Sequence, residues 1–154
     1  MLKRPGKVYS EIFLHLVWHT KEDVAFITPP VRAALYSFLA KRAAQDGRVR
    51  LVSTGGTADH VHLCVEVAPT IAPADLVKDF KGASSYHINH LVPRLGRLYW
   101  QEGYGVLSLG KRNVPWLVRY IESQEDHHRR GTMQERLERT EEMEGSSPPV
   151  QEAR

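Results

Sequence analysis

Cysteine is almost missing from this chain. Cys64 stands alone among 154 residues, so no internal disulfide can form, and a reducing interior suits the protein. Long apolar runs are absent as well: none approaches the roughly 18–20 residues that a membrane span needs. The basic stretch Met1–Ser10 lacks a following apolar segment with a small-residue cleavage site, which argues against a secretory signal. A cytoplasmic protein without membrane contact is expected. An excess of one charge is also lacking overall, since the formal net charge is only +3. Its distribution is uneven, however. Up to Arg130 there are 18 Lys and Arg against 12 Asp and Glu, whereas from Gly131 onward the balance is 3 against 6. A basic body is compatible with a polyanionic partner, because Lys and Arg near phosphates release condensed counterions.

What is present is ordinary for a one-domain globular protein, with 42% hydrophobic and 25% charged residues. Ser10 to His19 alternates as a strand: Ile12, Leu14, Leu16 and Trp18 on one face, Phe13, His15, Val17 and His19 on the other. Thr28-Pro29-Pro30 opens a helix, and Val31, Leu35, Phe38 and Leu39 carry its spacing to Asp46-Gly47. Arg48 to Thr54 reads as a second strand closed by Gly55-Gly56, and Asp59 to Ala68 as a third. A second helix spans about Ala72 to Leu91, with Pro93 beyond it. Gly103 to Leu109 is a short fourth strand, and Asn113-Val114-Pro115 opens a third helix reaching about Arg130. The order β-α-β-β-α-β-α is that of a ferredoxin-like (RRM-like) split βαβ fold of class α+β. It predicts a four-stranded antiparallel sheet with helices on one face and the other face open to a ligand. Residues 1–135 form the expected domain. Residues 136–154, which end in Gly145-Ser146-Ser147-Pro148-Pro149, read as a disordered tail.

The most informative strand is His60-Val61-His62-Leu63-Cys64-Val65-Glu66-Val67. Its aliphatic residues share one face, which belongs under the helices, so His60 and His62 point together to the opposite side. Two imidazoles at i and i+2 can ligate one borderline divalent ion. The same pattern fits two polar residues on a solvated strand face, and two ligands do not complete a site. The third helix offers more. Tyr120 and Gln124 are four residues apart on one face, His127 and His128 follow one turn later, and Leu117 with Ile121 marks the stripe that docks on the protein. A tyrosine near a metal is a sensible nucleophile, because a phenol of pKa near 10 needs a cation to polarise the phosphate it attacks. Cys64, on the histidine face, reads as filler.

These residues carry a family resemblance. Thr57-Ala58-Asp59-His60-Val61-His62-Leu63, Trp100-Gln101-Glu102-Gly103-Tyr104-Gly105 and the run Tyr120 to His128 resemble the single-tyrosine HUH transposases. These are the insertion-sequence-200-like and REP-associated tyrosine transposases. His15 to Lys21 and Asp75 to Asn89 fit the same pattern, so the resemblance spans roughly Ser10 to Glu135. It implies a transposase that cleaves and rejoins single-stranded DNA at hairpin-marked element ends. Tyr120 would attack and hold a 5′ phosphate, His60 and His62 would hold Mg2+ or Mn2+, and Gln124 would complete the metal shell. It also implies a homodimer, often with the tyrosine helix of one subunit serving the histidines of the other. After Glu135 the chain departs from the family's longer, aromatic-containing end. A hairpin-binding protein of the same fold without catalysis is the alternative, and a metal-dependent hydrolase a third. Lys78, Lys81, Lys111, Arg112, Arg119, Arg129 and Arg130 are candidates for phosphate contacts, and Trp100 and Tyr104 for base stacking. No DNA-binding residue is singled out.

Overall fold

In the computed structural model, which describes residues 2–141, four strands form one antiparallel sheet. They are β1 (Phe13–His19), β2 (Val49–Gly56), β3 (His60–Val67) and β4 (Gly105–Leu109), in the spatial order β2-β3-β1-β4. Helices α1 (Pro29–Asp46) and α2 (Pro73–Tyr86) are the two crossovers, which makes this the expected split βαβ arrangement. Leu14, Leu16 and Trp18 of β1 and Val61, Leu63 and Val65 of β3 meet Val31, Leu35, Leu39 and Phe80 of the helices in one core. Each such side chain stabilises the fold by roughly 1.5–3 kcal/mol when fully buried.

Local sequence accounts for the element ends. Thr28 is extended with Pro29 following it at the first turn of α1, and Gly47 closes that helix in a left-handed conformation (φ 74) that few other residues adopt readily. The expected second helix keeps its extent but changes pitch: α2 ends at Tyr86, and His87–Leu91 continues as a π-helical turn. The expected third helix divides at Ser123 into α3 (Val114–Glu122) and α4 (Gln124–Arg130). Gly55-Gly56 does not close β2 but forms its last two residues, paired with His62 and Val61 of β3.

The main departure concerns the sheet's second face, expected to be open. It is covered. Helix α3 lies on β2 and β3, and the short α5 (Glu135–Glu138) lies on β1 and β4. Every residue of β3 is therefore buried, histidines included. Residues 136–141, expected as the start of a tail, pack on the sheet, and the remainder of the expected tail, 142–154, lies outside the described residues. The close approach of α3 depends on glycine. A Cβ on Gly55 would collide with the carbonyl oxygen of Ile121, and one on Gly105 with that of Arg139.

Gly55→Ala should therefore push α3 off β2 and destabilise the protein by about 1–3 kcal/mol. Gly82→Ala, in α2 with open space around it, should instead leave stability unchanged or raise it by up to about 1 kcal/mol. Urea unfolding midpoints check both; equal midpoints for Gly55→Ala and the parent would contradict the packing described.

Candidate metal centre and tyrosine

Strand parity puts His60 and His62 on the second face of β3, and the neighbouring strand fixes their surroundings. His62 lies across from Val17 and His60 across from His19, whose ring stacks on that of His60 at 4.9 Å and 16°. The Nδ1 of His60 sits 2.6 Å from Asp59 Oδ1 and 2.9 Å from Thr57 Oγ1, while Thr57 donates its own hydroxyl to Asp59. Burial works to raise the Asp59 carboxyl, but the hydrogen bonds from His60 and Thr57 outweigh it and hold the group low. An ionised carboxylate only accepts, so these partners assign a ring proton to Nδ1. His62 Nδ1 is likewise engaged, 2.8 Å from His15 Nε2. Burial pushes His15 down to about 3 and lowers His62 as well, so both rings are neutral at pH 7.

Both Nε2 atoms point toward the C-terminal helices. Gln124, the first residue of α4, puts Oε1 3.2 Å from His60 Nε2, and its amide donates to the Tyr120 carbonyl. His60 Nε2 and Gln124 Oε1 thus meet at 3.2 Å beside the Tyr120 backbone. His128, one turn on, approaches Gln124 Oε1 with Nε2 at 3.1 Å. Burial, followed by the nearby His60, lowers its pKa.

Tyr120 ends its own stripe of α3 beside this cluster. Its ring lies between Trp116 (5.6 Å, 17°) and His127 (4.7 Å, 28°), and its ring centroid is 6.0 Å from that of His62. The phenol donates to Glu138 Oε1 at 2.6 Å and accepts the Gln134 N–H at 2.9 Å. Burial and the Glu138 hydrogen bond push it up to about 12, so it is a neutral phenol at pH 7. Glu138 comes from α5, and its second oxygen lies 3.0 Å from His62 Nε2 and 3.6 Å from His60 Nε2. Burial would raise this carboxyl, but hydrogen bonding to His62 and Tyr120 keeps it ionised.

One chain therefore brings together all four side chains singled out in the sequence: His60, His62, Tyr120 and Gln124, each at most 3% exposed. Two imidazole Nε2 atoms and an amide oxygen converge on one space, and with the Nε2 protons displaced they are a donor set fit for a divalent ion with positions left over. His19, Asp59 and His60 form a second cluster of potential ligands, but its 2.6 Å Asp59–His60 spacing is a hydrogen bond with no room for an ion. Glu138 was not foreseen. It lies in a Glu-rich segment without periodicity, where Leu137, packed on the apolar group of Cys64, Leu117 and Ile121, is the one apolar signal nearby. Burial pushes the Cys64 thiol up to about 11, which suits its role as filler.

The remaining candidates divide. Lys81 is half-buried and donates to the carbonyls of Gln101 and Gly103, which makes it a tie between α2 and the loop before β4. Trp100 donates its indole N–H to Ser84 and packs edge-on to Trp18, so it is a structural ring. Arg129 and Arg130 both pair with Asp126, and Lys111 with Glu11.

The chain is similar to known proteins over most of its length. The sequence profile described as "Transposase IS200 like" matches residues 8–124. The ISDra2 transposase TnpA of Deinococcus radiodurans is 32% identical over 131 residues, covering 82% of this chain and 92% of that protein. The transposase for insertion sequence element IS200 of Salmonella typhimurium is 25% identical over 129 residues, covering 76% of this chain and 84% of its own. Among solved structures, one from Deinococcus radiodurans described as a transposase superposes with a TM-score of 0.61 at 28% identity, over 80% of this chain and 98% of that one. The REP-associated tyrosine transposase bound to a REP hairpin shares the fold, with a TM-score of 0.53 at 10% identity over 86% of this chain and 76% of that one. With three-quarters of its length matched by that profile, the chain belongs to the IS200-like transposase family.

Proposed function

We propose that this transposase cuts and rejoins single-stranded DNA with Tyr120 as nucleophile, next to a divalent metal held by His60, His62 and Gln124. The observation that carries the reading is the convergence of the two imidazole Nε2 atoms and the Gln124 oxygen beside the Tyr120 ring. A phenol held near 12 is a poor nucleophile at neutral pH. A bound Mg2+ or Mn2+ would supply Lewis-acid polarisation of the scissile phosphate. The protein's own groups do the rest. Asp59 and Thr57 hold His60 in the ligating tautomer, His15 orients His62, and the Gln134 N–H supports negative charge on the tyrosine oxygen. Attack joins Tyr120 Oη to phosphorus as the P–O3′ bond breaks. The 3′ oxygen leaves with the electron pair and takes a proton from solvent, and the phenol proton goes to solvent or a nearby base. The phosphotyrosine keeps the energy of the ester, and a second 3′ hydroxyl reverses the step without ATP.

The substrate is DNA whose element ends are marked by hairpins, in keeping with the hairpin held by the REP-associated structural relative. The protein works as a homodimer in the cytoplasm; the outer edge of β4 has no strand partner among the described residues, and no helix there is long and apolar enough to cross a membrane. The competing reading is a hairpin-binding protein that does not cut. In its favour, the Tyr120 oxygen is already engaged by Glu138 and Gln134.

Labelled single-stranded hairpin DNA incubated with the protein and Mn2+ should give a covalent adduct that survives denaturing electrophoresis. Tyr120→Phe should abolish the adduct and leave hairpin affinity within about twofold. Binding without any adduct from element-end hairpins favours the non-cutting reading, and cleavage that survives in Tyr120→Phe points to hydrolysis. Asp59→Asn removes the negative charge that holds the His60 Nδ1 proton. It should weaken Mn2+ affinity by about 10–100-fold in calorimetric titration; an unchanged affinity would remove Asp59 from this role.

A further inference from the structure

The profile match ends at residue 124, yet a side chain fourteen positions later reaches the same cluster. Glu138 Oε2 stands 3.0 Å from His62 Nε2 and 3.6 Å from His60 Nε2, and Gln124 Oε1 stands 3.2 Å from His60 Nε2. Atoms that bind one divalent ion at about 2.1–2.2 Å, with angles of 90–110°, are themselves about 3.0–3.5 Å apart. These three spacings are thus close to the edges of a single coordination polyhedron, and the His60, His62 and Glu138 atoms all lie within 4.8 Å of one another.

We propose that Glu138 is a metal ligand, the carboxylate that joins His60, His62 and Gln124 around one ion. This rests on the reading of His60 and His62 as a metal pair. Chemistry supports the assignment. Two neutral imidazoles and an amide bring no charge to the shell, and a carboxylate adds one, which favours hard oxygen-seeking ions such as Mn2+ and Mg2+. The position is also built rather than incidental. Leu137 anchors α5 in the apolar group of Cys64, Leu117 and Ile121, while the backbone at Arg139 passes against Gly105 of β4. The other oxygen of Glu138 accepts from Tyr120, so the same carboxylate sets the phenol beside the metal shell.

Mn2+ binding by the full chain without DNA tests this, read by calorimetry and by the free-Mn2+ electron paramagnetic resonance signal. E138A should weaken Mn2+ binding about tenfold or more. E138Q, which keeps size and hydrogen-bonding capacity and so guards against misfolding, should fall between E138A and the parent. The H60A/H62A double variant should lose binding altogether. If E138A or a folded E138Q binds Mn2+ as tightly as the parent, or more tightly, Glu138 is a counter-charge lying over the histidines and the inference is overturned. If the parent binds no Mn2+, or H60A/H62A binds as well as the parent, the underlying reading of the histidine pair fails instead.

Discussion

The contact of α3 with β2 and β3 is the constraint on which the rest of this structure depends. Leu117 and Ile121 press on Cys64, and the Ile121 carbonyl comes so close to Gly55 that no side chain fits between them. That single apolar docking fixes where Tyr120 stands, because it is the residue just before Ile121. It also fixes Gln124, the first residue after the break at Ser123. Without it the histidines of β3 would face water on an open sheet. With it they are sealed under helices.

Sealing has a thermodynamic consequence. Burying imidazoles, a carboxylate, an amide and a phenol in one place is unfavourable by several kcal/mol unless each polar atom finds a partner. Here the partners form a connected set: Asp59 and Thr57 to His60, His15 to His62, Glu138 to both His62 and Tyr120, and Gln124 to His60. Such a network holds side chains in one geometry, which the proposed presentation of a phosphate to Tyr120 requires. Within this network the Nε2 atoms of His60 and His62 both lie beside Glu138 Oε2.

Most of the fold was legible in the sequence because each signal was local. Alternation in β1 and β3, Thr28-Pro29 at the start of α1 and Gly47 at its end are properties of neighbouring residues, and the split βαβ order followed from them. The meeting of the four candidate residues was legible for a related reason: parity put His60 and His62 on one face, and a four-residue step aligned Tyr120 with Gln124. What could not be read was anything set by contact at a distance. The covering of the second face depends on glycines at 55 and 105 meeting carbonyls of α3 and of the segment after α5. Gly55-Gly56 looks like a strand terminator until that approach is known. Glu138 sits in a four-residue helix among charged residues, too short for periodicity to distinguish it from a solvated tail. His15 is part of a regular strand, and only the register with β3 reveals that it touches His62.

In the proposed function, β3 and the C-terminal helices of a single chain build one metal site facing Tyr120. Anomalous diffraction from crystals grown with Mn2+ measures this most directly. The account predicts one peak within about 2.3 Å of the Nε2 atoms of both His60 and His62, with Gln124 of the same chain turned toward it. A peak on the Nδ1 side, among His19, Asp59 and His60, or no peak at crystal concentrations of Mn2+, would contradict it.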